Sequence, residues 1–482
     1  MGNLTVDRAK SRTCRALAYG LIFAHAWYPV ASALAQTVPE IEDVPLYTAT
    51  SVQPNVMLTL DNSGSMAWQF APMTTKANDD RRCFSNHLYN QLYYNPSMTY
   101  VPPVMSDGVT RYPNSSYTAA WRDGFKTSSG TMNLSTAFPA VGNYAAETNS
   151  NSNTTPGYNT TSVGGAYYHR YTGTSPATPV EGTCYANSSY TKVDMNSATA
   201  AEKTNFANWF SYYRTRINAM KTSAGEAFRA IDAGFRVGLH TINNPDDSGS
   251  SGTFLALDTF SGSHRSTWYT RFYALQPSGN TPLRAAPQRI GEYYRAGTSP
   301  AGGATPDPIL YSCQQNYHLL TTDGQWNSTG ASGTVGSTNW DNTLPNNPNL
   351  LKALQVEFGT PFAAGNPWPR PYREKPGSPS TNTLSDISAY YWMTDLRPSM
   401  NNNVFMSSKD PASWQHMVTY GLAFSEQGTI AYPGGLAAIR NGTADWPKPA
   451  ADAASAIDDL WHAALIGHGS FFSVSSPSEL MF

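Results

Sequence analysis

Short apolar segments typical of buried strands alternate with helical patterns along this chain. The strand-like segments lie at 54–60, 235–242, 316–321 and 414–422, and later helical patterns lie around 384–396 and 453–466. Strands that alternate with helices build a parallel sheet with helices on both faces. The sequence therefore predicts an α/β fold with a mostly parallel central sheet.

One further helix has a clear start. Thr199 and Glu202 have the spacing of a capping box, in which two side chains satisfy free backbone amides. The apolar residues behind them recur at helical spacing: Phe206, Phe210, Tyr213, Ile217, Met220 and Ala224. We expect one helix whose apolar stripe faces the core.

Composition identifies an inserted lobe and excludes one class of partner. Charged residues make up 13% of the 482 residues, about half of the usual ~25%. The net charge is −2 with no stripe of Lys and Arg, which argues against nucleic-acid binding. Residues 71–198 are polar and irregular, so we expect an insertion with little core of its own, although its aromatic residues need burial.

The N-terminus has the three parts of an export signal. Basic residues precede an apolar stretch at 16–30, and the small-residue triplet Ala33-Leu34-Ala35 follows. We expect a signal peptide over 1–35 and an exported mature chain from Gln36. A membrane span is the less favoured interpretation, because the stretch is short and interrupted by His25 and Pro29, and no other long apolar segment occurs.

The four cysteines limit which disulfides can form. Cys14 lies in the signal segment, so Cys83, Cys184 and Cys313 reach an oxidising compartment, where one bridge and one remaining thiol are expected. We favour Cys83 with Cys184, because both flank the lobe and a long closed loop gains most from a crosslink. Cys83 with Cys313 and Cys184 with Cys313 stay open.

Oxygen-bearing side chains follow the predicted strands. Asp61, Ser63 and Ser65 come directly after the first strand, and Asp323 follows the third. Thr281 is predicted to cap a helix that starts at Pro282. Ligands of open parallel sheets bind outside the carboxyl ends of the strands. These five hard oxygen donors suit Mg²⁺ or another small divalent cation, with waters completing its shell.

The pattern Asp61-x-Ser63-x-Ser65 with Thr281 and Asp323 resembles the metal-ion-dependent adhesion site of von Willebrand factor A domains. Longer segments resemble the N-terminal half of PilY-type type IV pilus tip and assembly proteins. They lie at 90–96, 121–125, 209–216, 316–324, 390–398 and 457–463.

This resemblance implies a fold, a location and partners. The fold would be a Rossmann-like von Willebrand factor A domain over 36–482, with insertions at about 71–198 and 325–383. The protein would act in the periplasm and at the pilus tip on the cell surface. There it would join minor pilins, promote pilus assembly and attach to a host or abiotic surface ligand.

The resemblance also implies how the site works. The two serines and the threonine would hold Mg²⁺, or Mn²⁺ or Ca²⁺, directly. The acids would act largely through bound water, and an acidic group of the ligand would fill the open position. Two departures stand out. Family members usually continue into a C-terminal β-propeller, which is expected to be absent from this chain, either because it is a fragment or because it is a short member of the family. Pro287 predicts a short or kinked helix after Thr281.

The sequence leaves alternatives to this non-enzymatic role in adhesion and assembly. A structural pilus-priming subunit could bind minor pilins through the inserted lobe and keep only a vestigial metal site. An exported hydrolase is disfavoured because Ser63 lacks the Gly-x-Ser-x-Gly elbow, and zinc is disfavoured because His-Glu-x-x-His and Cys-x-x-Cys spacings are missing.

Two further motifs could bind a surface or could be structural. The permuted adhesion tripeptide Arg122-Asp123-Gly124 is expected to be structural. The tyrosine pairs could form a sugar- or surface-binding face, but packing is favoured. The pairs are Tyr93-Tyr94, Tyr167-Tyr168 and Tyr390-Tyr391.

Overall fold

A computed structural model describes residues 52–71, 82–139, 164–243, 245–424, 426–474 and 479. The predicted signal segment, with Cys14, lies outside these ranges. The strands are β1 (Asn55–Leu60), β2 (Ala120–Trp121), β3 (Thr131–Met132), β4 (Tyr167–Tyr171), β5 (Tyr190–Asp194), β6 (Arg236–Thr241), β7 (Leu255–Thr259), β8 (Asn316–Thr322), β9 (Val418–Phe424) and β10 (His468–Val474). The α-helices are α1 (Ala200–Tyr212), α2 (Arg216–Arg229), α3 (Gly262–Ala274), α4 (Ala285–Ala296), α5 (Gly333–Ser337), α6 (Pro348–Phe358), α7 (Leu384–Met393), α8 (Leu436–Asn441) and α9 (Ser455–Ile466).

Six strands form the central sheet in the order β10-β9-β8-β1-β6-β7. All neighbours run parallel except β7, which is antiparallel to β6. The predicted α/β fold with a mostly parallel sheet is thereby confirmed. The predicted strand at 414–422 is displaced to Val418–Phe424, because the backbone of Gln415 and Met417 bonds instead to the segment around the end of α7.

Alternate residues of β1 point to opposite faces of the sheet, as a strand requires. Val56, Leu58 and Leu60 pack in one cluster with the apolar residues of α2 and α3. Met57 packs in another with residues of α4 and α7. Helices therefore cover both faces, and no helix within the described ranges is both long and apolar enough to cross a membrane.

The single helix predicted after Thr199 is wrong, because the chain forms α1 and α2 with a break between them. Thr199 does cap α1, accepting a hydrogen bond from the Glu202 amide at 3.2 Å. Thr215 starts α2 in the same way, accepting from the Asn218 amide at 3.3 Å. Because of this break, the apolar residues of the two helices pack in different cores. Phe206 packs in the core of the lobe, and the apolar residues of α2 pack against the central sheet.

The lobe has more core than the sequence indicated. Its hairpins β2/β3 and β4/β5 surround a buried aromatic cluster that is completed by α1. Tyr93, Tyr94 and Tyr168 are almost fully buried in it, and Tyr391 is fully buried in the sheet core. Packing is thus the role of these tyrosines.

The Arg122-Asp123-Gly124 segment is structural as well. Asp123 is buried, and a side chain at Gly124 would collide with Tyr212.

The favoured disulfide is confirmed. Cys83 and Cys184 are bonded, with 5.4 Å between their Cα atoms and a sequence separation of 101 residues. Cys313 lies outside the disulfide. The bridge ties the start of the lobe to its far side, so it closes the lobe as a unit.

Candidate metal centre

The two acids predicted for the site lie side by side. Asp61 directly follows β1 and Asp323 directly follows β8, and these strands are adjacent and parallel. The Asp61 amide donates to the Thr321 carbonyl at 3.2 Å, which continues the pairing beyond the strand end. Both carboxylates are fully buried. The parallel register therefore brings together two acids, Asp61 and Asp323, that lie 262 residues apart in the sequence.

A continuous chain of hydrogen bonds joins four of the five predicted residues. Asp61 Oδ1 accepts from the Ser63 amide at 2.8 Å. The hydroxyl oxygens of Ser63 and Ser65 are 3.0 Å apart, and the Ser65 hydroxyl donates to Asp323 Oδ1 at 2.9 Å. A 3₁₀ turn at Gly64–Ala67 carries Ser65 and follows directly on Ser63. These four side chains form one cluster of oxygen atoms.

Thr281 is not part of that chain of bonds. Its loop contacts the loop that carries Ser63 and Ser65, here called the serine loop, through the Gly64 amide, which donates to the Gly279 carbonyl at 3.0 Å. Gly279 has φ of +75°, a backbone conformation that favours glycine. Among the described residues, the Thr281 side chain makes no hydrogen bond, and its backbone is fixed by Asn327 through bonds of 2.8 and 3.0 Å.

The predicted helix start at Thr281 is wrong. Residues 282–286 begin with turn-type bonds, and α4 starts only at Ala285, with Arg284 before it. Pro287 is consequently the third helical residue, where a backbone N–H would have no partner within the helix. The expected kink is therefore unnecessary, and α4 runs for 12 residues.

Arg216, which the sequence interpretation missed, reaches into the same cluster. Its Nη1 donates to Asp323 Oδ2 at 3.0 Å and to the Asp323 carbonyl at 3.1 Å, and both side chains are fully buried. The guanidinium carbon lies 5.1 Å from the ring centre of Trp68 and 5.5 Å from that of Phe70. An arginine at the first position of a helix, inside an apolar stripe, was the available signal.

Thr322 is a second missed residue. Its hydroxyl donates to Asp61 Oδ2 at 2.7 Å. Burial, followed by the nearby charge of Asp323, raises the pKa of Asp61 to about 7, while the bonds from Ser63 and Thr322 act in the opposite direction. With both acids ionised, the cluster would carry one more negative charge than Arg216 balances, and the raised pKa of Asp61 reflects the cost of burying that charge.

The donors are hard oxygens, the kind that Mg²⁺, Mn²⁺ and Ca²⁺ take in proteins. The described part of the chain contains no group of three or more His, Cys, Asp or Glu residues suited to a metal ion. A cation bound here would therefore depend on hydroxyl oxygens as well as on the two carboxylates.

The fold and this cluster define an α/β protein with an acidic, hydroxyl-rich cluster at the strand ends. The chain is 32% identical to the type IV pilus biogenesis factor PilY1 of Pseudomonas aeruginosa strain PAK over 486 residues, which cover 92% of this chain and 38% of that protein. It is 34% identical to PilY1 of strain UCBPP-PA14 over 485 residues, with 93% and 38% covered. Over most of its own length the chain is therefore similar to the PilY1-type type IV pilus factors, and it spans about two fifths of their length. No protein-family model and no solved structure matches it.

Proposed function

We propose that this chain promotes type IV pilus assembly and surface adhesion through a metal-ion-dependent adhesion site on a von Willebrand factor A domain. The observation that carries the proposal is the hydrogen-bonded cluster of Asp61, Ser63, Ser65 and Asp323 at the ends of adjacent parallel strands. The similarity to PilY1 supports a part in pilus biogenesis.

The domain is proposed to span 36–482, with insertions at about 71–198 and 325–383. The distribution of strands supports this division, because β2 to β5 all lie in the first insertion and the central sheet is built from strands outside both. The segment before the domain is proposed to direct export to the periplasm, and the mature protein is proposed to act at the pilus tip on the cell surface.

The proposed cofactor is Mg²⁺, with Mn²⁺ and Ca²⁺ as alternatives. Ser63, Ser65 and Thr281 would bind it directly, and Asp61 and Asp323 would act largely through bound water. The cation would supply a positive centre for an acidic group of a host or abiotic surface ligand. The Thr281 hydroxyl has no hydrogen-bond partner within the described part of the chain, which is consistent with a role as a ligand.

A structural role is the second candidate, and Arg216 favours it. The guanidinium neutralises Asp323 without any metal ion, so the cluster is partly balanced by the protein itself. In this alternative the metal site is vestigial. The chain would then serve pilus priming through contacts between minor pilins and the inserted lobe.

Replacing Asp61 in a piliated strain separates these candidates. Asp61→Asn is compared with Asp247→Asn, which changes an exposed acid that is not one of the candidate site residues. We expect Asp61→Asn to reduce adhesion and pilus number while folded protein is still exported, and Asp247→Asn to behave as wild type. Normal adhesion and pilus number in the Asp61→Asn strain would favour the structural role.

A further inference from the structure

Arg216 is hydrogen-bonded to the loop that forms the candidate metal centre. Its Nε donates to the Phe70 carbonyl at 2.9 Å, and its own backbone amide donates to the Trp68 carbonyl at 3.0 Å. Trp68 follows directly on the 3₁₀ turn that carries Ser65. The fixed positive charge is therefore held by the loop that supplies the hydroxyl donors.

The position of this charge is unusual for a residue that serves stability alone. The guanidinium is fully buried, and its Nη2 atom has no hydrogen-bond partner among the described residues. Buried ion pairs often contribute little net stability, because both partners lose their hydration. The arrangement leaves one of two neighbouring acids paired and the other, Asp61, without a cationic partner among the described residues.

We propose that Arg216 lowers the cation affinity of this centre and raises the affinity of its cation-bound form for an acidic ligand. This inference rests on the proposed function. Without Arg216, a divalent cation would be balanced by the two carboxylates. With Arg216, the same bound cation leaves one positive charge in excess, and that charge favours a carboxylate from the ligand.

The inference predicts opposite changes in two affinities, which loss of packing alone would not produce. The variant Arg216→Gln removes the charge and keeps a donor, and Arg216→Lys is the matched control that keeps the charge. Mn²⁺ affinity is measured by calorimetry, and acetate affinity is measured on the Mn²⁺-saturated protein. Both use the full exported chain, with circular dichroism to verify folding.

We expect Arg216→Gln to bind Mn²⁺ roughly tenfold more tightly than wild type and acetate several-fold more weakly. Arg216→Lys should stay close to wild type in both. Equal or weaker Mn²⁺ binding by Arg216→Gln, with binding abolished by Asp61→Asn, would overturn the role of Arg216 and leave the metal site standing. No Mn²⁺ binding by any form would overturn both.

A second pair of variants covers the case in which Arg216→Gln fails to fold because Asp323 loses its ion pair. Asp323→Asn alone should bind Mn²⁺ weakly. Only the carboxylate of Asp61 then attracts the cation, while the positive charge of Arg216 still repels it. The double variant Arg216→Gln with Asp323→Asn removes both charges of the pair and should recover roughly tenfold in Mn²⁺ affinity over Asp323→Asn. No recovery would contradict the inference.

Discussion

The hydroxyl of Thr322 donates to Asp61 Oδ2 at 2.7 Å, across the parallel pair formed by β8 and β1. Thr322 is also the residue before Asp323. The end of β8 therefore supplies one acid, Asp323, and donates a hydrogen bond to the other, Asp61. The two carboxylates are thereby held in a fixed relationship by the sheet itself.

This bond predicts the effect of Thr322→Val, which keeps the side-chain shape and removes the hydroxyl. We expect a loss of about 1–3 kcal/mol in the free energy of unfolding and weaker Mg²⁺ binding, because a buried carboxylate loses a donor. Urea unfolding and calorimetry measure the two effects. Thr322→Ser, which keeps the hydroxyl, should retain most of both, and equal values for Val and wild type would contradict the assignment.

The disulfide predicts which part of the protein fails first on reduction. Replacing Cys83 and Cys184 together by Ala should cost up to about 4–5 kcal/mol, because the bridge closes a loop of 101 residues. Limited proteolysis should then cut the lobe before the central sheet. Cys313→Ala serves as the control, and an unchanged cleavage pattern in the double variant would show that the bridge does not stabilise the lobe.

The packing of α4 against α7 predicts a steric effect at Gly291. A Cβ atom there would lie 2.3 Å from ring atoms of Tyr391, so Gly291→Ala should destabilise the protein by about 1–3 kcal/mol. Gly434→Ala is the matched control, since no atom lies within 4 Å of its added Cβ and its φ is not positive. Thermal unfolding compares the two, and equal melting temperatures would refute the contact.

A buried polar chain beneath the site predicts sensitivity to acid. Arg289 Nε donates to His240 Nε2 at 3.1 Å, and both His240 Nδ1 and His318 Nε2 contact the Thr59 hydroxyl, at 3.1 and 2.8 Å. Burial lowers the pKa of His318 to about 3, from an ordinary value of 6.5. Burial, the charge of Arg289 and the neighbouring His318 hold the pKa of His240 well below 6.5 as well.

The unfolded chain therefore binds protons below pH 6.5 that the folded chain does not, and the stability from these neutral histidines is lost as the pH falls. His318→Gln should become more stable relative to wild type between pH 6.5 and 4.5, by up to about 2–3 kcal/mol. Urea unfolding at several pH values measures this difference. His264→Gln is the control, and a parallel pH dependence of His318→Gln and wild type would contradict the prediction.

The sheet and its two acids could be predicted because their signals are local. A short apolar strand that stops at an acid is visible at Asp61 and again at Asp323, and parallel pairing then brings their ends together. Edge strands β7 and β10 were missed, since both are partly exposed and lack a continuous apolar pattern. The break between α1 and α2 was missed because helical spacing continues across it.

The errors at the site have tertiary causes. Thr281 was expected to cap a helix, but Asn327 on a distant loop takes its backbone N–H and carbonyl. Arg216 belongs to a helix far from both acids in the sequence, and only the folding of α2 against the serine loop brings it to Asp323. No sequence spacing relates Arg216 to the two acids. The charge balance of the site could therefore be recognised only from the structure.

The metal centre is tested most directly by calorimetric titration of the exported chain with Mg²⁺ and Mn²⁺, comparing wild type with Asp61→Asn. We expect saturable binding of one cation per wild-type chain, and loss of that binding in Asp61→Asn with an unchanged circular dichroism spectrum. Absence of binding in the wild type, or equal binding by the folded variant, would contradict the claim that Asp61, Ser63, Ser65 and Asp323 form a metal centre.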